Sequence, residues 1–172
     1  ERDNWIGSGP QGNGWHTTWG RFFCERRIAP QAELLAARGV ALPGLEALLA
    51  RLPAWLDQHP SDPCLVHGDL WSGNAMAAIS GLSDQALGAA IFDPAVHRAD
   101  REVDLAMARL FGGFADDFFA AYEEEWPLPE GAEQRVAVYN LYHLLNHANL
   151  FAGGYIVQAR HLLRSCLDSL GA

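Results

Sequence analysis

A chain of 172 residues, 49% of them hydrophobic, is long enough to bury a full core as one domain and too apolar to be disordered. Its net charge of −9, with only 12 basic residues and no basic run, argues against a nucleic-acid backbone as partner. Cationic or metal-bound ligands fit that balance better.

In chain order, residues 1–15 are rich in Gly, Asn, Ser and Trp and read as an irregular loop with turns at G-S-G-P and N-G. Thr17 or Thr18 is placed to cap a helix carrying Trp19, Phe22 and Phe23. Pro30 is expected to break or kink it, and a second piece runs through Leu34 and Leu35 to a stop at Gly39. Pro43 opens a further helical region with Leu45, Leu48, Leu49 and Leu52, kinked at Pro53. The period then shortens: Cys64–His67, Ala75–Ile79 and Leu87–Phe92 are strand candidates, with S-G-L-S-D-Q as a hairpin-like turn before the last. From Arg101 the helical spacing returns. Val103, Met107, Leu110 and Phe114 form one stripe, and Val138, Leu141, Leu145, Ala148 and Ala152 another; a last helix covers about residues 155–170. The fold class is therefore α+β, mostly helical, with a few short strands.

Residues 136–159 carry no Lys, Arg, Asp or Glu, yet Asn140, His143, Asn146, His147 and Asn149 interrupt them at nearly every turn. A bilayer would tolerate that badly, so a buried helix is expected rather than a membrane span. Cys24, Cys64 and Cys166 are odd in number and lack metal spacing, which suggests free thiols in a reducing compartment. The opening ERDNWIGSG is charged and unlike a secretory signal, so a cytoplasmic location is expected. The chain opens without Met, in what reads as a loop, and is expected to be part of a larger protein.

The chemistry concentrates in "LVHGDLWSGNA", residues 65–75. Asp69 and Asn74 are five positions apart, the spacing at which a phosphotransferase loop sets an Asp against the attacking hydroxyl and an Asn on a metal ion. Asp93 follows 19 positions later, at the end of an apolar strand in "AAIFDPA", where such an enzyme needs a second metal-binding carboxylate. An isolated D-x-x-x-x-N could be a mere turn. The flanking Gly68 and Gly73, His67 and the later Asp93 make the functional reading the better one.

"HGDLWSGN", "IFDPA" and "DREVDLAM" together resemble the fructosamine (ketosamine) kinase family, relatives of aminoglycoside phosphotransferases and choline kinases in the protein-kinase-like fold. "DNWIGSGPQGNGW", "FFCERRIAPQ", "ARLFGGF" and "YHLLNHANLFAGGY" extend the resemblance over essentially the whole chain. The resemblance implies Asp69 as catalytic base, Asn74 and Asp93 as metal ligands, and Trp71 as a wall of the sugar-amine pocket. It implies His67 as a brace of the catalytic loop and Asp104 as a buried helix-start residue bonding to that loop. ATP and magnesium would be the cofactors, and a ketosamine, small or protein-bound, the acceptor. The family's nucleotide-covering loop and phosphate-binding Lys have no counterpart here. Residues 1–172 thus look like the C-terminal catalytic lobe, whose partner would be its own N-terminal nucleotide lobe; alone, the chain is expected to be inactive. Kinases for another hydroxyl substrate, such as an aminoglycoside or amino alcohol, and a non-catalytic kinase-like binding lobe are the competing readings.

Other groups read as structural. His143 and His147 have zinc-pair spacing but lack the Glu of a zincin motif, and are expected to be buried hydrogen-bonding groups. Glu123–Glu125 reads as a solvated helix end, and the glycine pairs at 112–113 and 153–154 as helix terminations. Trp5, Trp15 and Trp19 either pin the entry loop or border the cleft.

Overall fold

The computed structural model describes residues 2–59, 61, 63–79 and 86–171. It opens with a correction: within the expected loop, β1 (Asn4–Ile6) pairs antiparallel with β2 (Gly9–Gln11), Ile6 opposite Gly9. The two-residue turn between them places Gly7 at φ +55°, a conformation glycine adopts freely. These strands have little β propensity of their own, and distant bonds hold them. Asn4 Nδ2 donates to the Val96 carbonyl at 2.7 Å, and Gln11 Nε2 to the Ala95 carbonyl at 3.1 Å. The Tyr142 hydroxyl donates to Gln11 Oε1 at 2.7 Å.

Helix α1 (Trp19–Phe23) is capped by Thr18, whose Oγ1 accepts from the Arg21 N–H at 3.3 Å. A widened π-turn over Cys24–Ile28 leads directly into α2 (Ala29–Ala37), so Pro30 does not break the helical path. The Ala29 N–H bonds back to the Cys24 carbonyl, five residues away, which makes room for the ring. The Arg26 carbonyl, which Pro30 has no N–H to bond, accepts instead from the Arg27 guanidinium at 3.0 Å. Helix α3 (Leu45–Leu56) contains Pro53 and crosses α1 where Gly20 has no side chain. A Cβ on Gly20 would lie 2.2 Å from the Pro53 carbonyl oxygen.

The strands that follow are β3 (Pro63–Val66), β4 (Ala75–Ile79), β5 (Ala86–Ile91) and β6 (His97–Asp100). β3 pairs antiparallel with β6 and β4 with β5, giving two small ribbons. The S-G-L-S-D-Q turn, residues 80–85, lies outside the described residues. β6 has the polar sequence HRAD and is absent from the sequence expectation; pairing to β3 makes it a strand.

Helices α4 (Glu102–Leu110), α5 (Asp116–Glu125), α6 (Ala132–Phe151) and α7 (Gly154–Ser169) complete the chain. Val103 and Met107 are buried as their stripe implies, but α4 stops before Phe114, at Gly112 and Gly113 with φ +68° and +97°. Phe114 instead packs on Phe118 of α5, ring centroids 4.6 Å apart. α6 is the centre of the core: Val138, Leu141, Leu145 and Ala148 are fully buried among α2, α4 and α7. Arg135 at its start forms a buried bidentate pair with Glu102 of α4, at 2.7 and 2.6 Å. No helix among the described residues is long and apolar enough to cross a membrane. Cys24 and Cys166 are buried free thiols.

Candidate active site

β3 delivers the chain into a tight loop at residues 67–74. Gly68 takes φ +80° there, with its Cα against the Ala95 carbonyl: a Cβ would approach that oxygen to 2.3 Å. The loop is held from below by Asp104, in the first turn of α4. Its two carboxylate oxygens accept from the His67 N–H at 2.7 Å and the Gly68 N–H at 2.8 Å. Burial pushes the Asp104 carboxyl up, and those two bonds pull the other way.

His67 ties the loop to Phe92, just after β5 and before Asp93. Its Nε2 faces the Phe92 carbonyl at 2.9 Å, and its Nδ1 accepts from the Asp69 N–H at 3.3 Å. A carbonyl can only accept and an amide N–H only donate, so these partners select the tautomer with the proton on Nε2. Asn74 closes the loop from the other end. Its Nδ2 donates to the Asp69 carbonyl at 3.0 Å, and its own carbonyl accepts from the Phe92 N–H at 3.1 Å. Asp69, which follows β3, is thereby brought beside Asn74 and Asp93, which flank the β4–β5 ribbon. Asp93 is exposed and sits at φ +56°, a left-handed conformation uncommon outside glycine.

The Asp69 carboxyl is half-buried and is pushed up to about 6. Burial is the main cause; Asp93 and Asp104 add to it and His67 opposes it. A base poised there is charged at neutral pH yet close enough to it to take a proton efficiently. Asn74 spends its Nδ2 on the Asp69 carbonyl, which leaves Oδ1 as the atom that could face a metal ion. With the Asp93 carboxylate it makes a hard-oxygen pair suited to magnesium, whose remaining positions phosphate oxygens and water can fill. Among the described residues, no group of three or more His, Cys, Asp and Glu could hold a metal unaided.

Trp71 is 39% exposed and does not belong to the core. Its ring lies over Gly73, where a Cβ would come within 2.2 Å of the indole. It borders a cleft of about 330 Å³ with Phe111, His147, Phe151 and Tyr155. The loop after α4 closes on the catalytic loop here, because Gly113 leaves room for Ser72. His147 Nδ1 bonds the His143 carbonyl at 2.8 Å, so Nε2 remains as acceptor, and burial lowers the ring's pKa and keeps it neutral. His143 departs from expectation: it is fully buried, but neither ring nitrogen has a hydrogen-bond partner among the described residues.

The family profile described as fructosamine kinase matches residues 1–169. The chain belongs to the fructosamine kinase family. A Vibrio cholerae protein named "Probable ketoamine kinase" is 42% identical over 166 residues, covering 96% of this chain and 55% of that protein. The Escherichia coli K12 protein named "Probable ketoamine kinase YniA" is 40% identical over 161 residues, covering 94% and 54%. A crystal structure named "putative fructosamine-3-kinase" from Thermobifida fusca superposes with a TM-score of 0.85 at 37% identity, covering 96% of this chain and 57% of that one. Another so named, from Haemophilus somnus, gives 0.84 at 29% identity. The chain spans about half the length of the relatives it matches.

For a member of the fructosamine kinase family, the sequence reading omits two features of this site. The rings beside Trp71 come from three elements, although the fourfold spacing of His147, Phe151 and Tyr155 was a signal for a shared face. Met76, Ile91 and Phe92, next to Asn74 and Asp93, are 56%, 60% and 40% exposed, with Met76 and Ile91 on opposite faces of the β4–β5 ribbon. Of the three entry tryptophans, Trp19 pins α1 through its Nε1 bond to the Tyr139 hydroxyl at 3.1 Å, while Trp5 and Trp15 are largely exposed.

Proposed function

We propose that this chain is the catalytic, acceptor-binding part of an ATP-dependent kinase that phosphorylates a sugar hydroxyl of a ketosamine. The observation that supports the reading is the convergence of Asp69, Asn74 and Asp93 around a loop whose Trp71 borders an aromatic cleft. Asp69 would accept the proton of the attacking hydroxyl at its carboxylate. Asn74 Oδ1 and Asp93 would hold magnesium, which when bound neutralises charge on the nucleotide phosphates. His67 and Asp104 would act by fixing the loop. Trp71 would lay its indole on the C–H face of the sugar, and the surrounding rings would attract the protonated amine.

The nucleotide needs a cover and a phosphate-binding cation, and we assign both to the N-terminal lobe that the relatives' greater length leaves room for. Met76 and Phe92, on the face of the ribbon opposite Ile91, would offer that lobe and the nucleobase an apolar floor. Residues 1–172 alone would therefore lack kinase activity. The test uses the two-lobe protein with ATP, magnesium and fructosyl-glycine, following ADP release. Asp69→Asn preserves the shape but cannot take the proton, and turnover should fall ~10²–10⁴-fold. Near-normal turnover in that variant would remove Asp69 from the chemistry.

A further inference from the structure

A second cavity, of about 580 Å³, lies between Leu110 at the end of α4, Ala137, Asn140 and Leu144 on α6, and Val157 and Leu162 on α7. The Trp71 cleft is lined by adjoining positions of the same three elements. Phe111 follows Leu110, His147 lies one turn on from Leu144, and Tyr155 precedes Val157. α6 and α7 pack closely as a helical hairpin, so the groove between them continues the cleft away from Asp69. Its lining is mainly aliphatic; of its polar members Glu133, Gln158 and His161 are exposed and Asn140 is buried. Asn140 is 6% exposed and its Oδ1 has no hydrogen-bond partner among the described residues. Buried polar atoms are rarely left so, and an amide that can turn over offers an occupant either a donor or an acceptor. Asn140 is seven residues from His147, about 10 Å along the helix.

We infer that this groove receives the amine-borne arm of a small-molecule ketosamine, and that it selects arms with an aliphatic stem and a polar group near the end. The inference rests on the ketosamine-kinase reading above. With the sugar hydroxyls at Asp69 and the amine among the rings, the amine's substituent leaves along the line on which the groove opens. The aliphatic walls take its hydrocarbon stem, and Asn140 takes an amide or hydroxyl further out.

The two-lobe protein would be assayed with fructosyl-glycine, which has no arm to fill the groove, and with the ketosamine of 6-aminohexanamide. The expected kcat/KM is about tenfold or more higher for the long arm. Ala137→Trp and Val157→Trp fill the groove from opposite walls, and Val157 is exposed, so at least that variant should fold normally. Each should bring the ratio of the two kcat/KM values close to one. Asn140→Leu should lower the preference for the hexanamide arm over a plain hexyl arm. Equal use of both ketosamines by the unaltered protein, or an unchanged ratio in both Trp variants, would overturn the inference while leaving the kinase reading intact. A ketosamine borne on a peptide lysine that outperformed the hexanamide by tenfold would also overturn it. If no ketosamine is phosphorylated, the kinase reading itself fails, and the groove assignment with it.

Discussion

Trp71 shows how one residue's exposure separates two roles. A buried core indole would cost about 3–5 kcal/mol of stability when cut to Ala. Trp71 keeps 39% of its surface exposed and rests one face on Gly73, so its removal leaves no cavity inside the core. We expect Trp71→Ala in the two-lobe protein to unfold at nearly the normal temperature. Its kcat/KM for a ketosamine should fall by the value of a lost ring contact, about 0.5–2 kcal/mol, with ATP binding little changed. Thermal unfolding beside kinetics checks this, and a collapsed melting temperature with an unchanged ketosamine KM would return Trp71 to a packing role. The neighbouring positions differ in kind. Asp104 accepts from two backbone N–H groups of the loop, so under the proposed function it would act through loop geometry.

Among the elements, α1 and α3 meet more closely than side chains normally permit. Gly20 makes the crossing possible, and Asp57 just after α3 accepts from the Gly20 N–H at 2.7 Å, occupying a donor that the first turn of α1 cannot use itself. A Cβ there meets backbone, which cannot rotate aside as a side chain would. Gly20→Ala should therefore destabilise the protein by about 1–3 kcal/mol despite alanine's better helix propensity. Denaturant unfolding measures it, and a neutral or stabilised variant would mean that the two helices slide apart at no cost. α5 sits at the other extreme. None of its residues is buried, and the Arg101 guanidinium, 4.2 Å from the Trp126 ring and bonded to the Trp126 and Pro127 carbonyls, anchors the segment after it.

Across the whole molecule, buried titrating groups pull stability in opposite directions with pH. Burial pushes Asp100 up to about 6 from its ordinary 3.8, so the fold holds its proton more tightly than the unfolded chain does. That contribution is complete below about pH 4 and is lost as pH rises through 6. His97 and His143 are depressed to about 3 from 6.5, mainly by burial, and contribute stability above pH 6.5 that is lost as pH falls. The two trends oppose one another between pH 4 and 6. Single variants should expose each. Relative to the unaltered protein, Asp100→Asn should gain up to about 3 kcal/mol as pH rises from 4 to 7. His143→Leu should gain as pH falls from 6.5 to 4. Unfolding free energies measured across that range decide the matter, and parallel curves would show that neither group titrates as its surroundings imply.

What the sequence by itself determined is what depends on neighbours within a few turns. The stripes of α4 and α6, the Thr18 cap and the Asp69–Asn74 spacing are local patterns, and the family is legible because its motifs are contiguous. What only the tertiary structure decided depends on partners far along the chain. β6 is a strand because β3 lies beside it, and the first hairpin exists because Val96, Ala95 and Tyr142 bond to it. The helical path survives Pro30 because a π-turn and the Arg27 side chain absorb the missing donor. The cleft beside Trp71 and the groove beyond it are spaces left where α4, α6 and α7 pack. A space between elements has no sequence signature, because no residue encodes it alone.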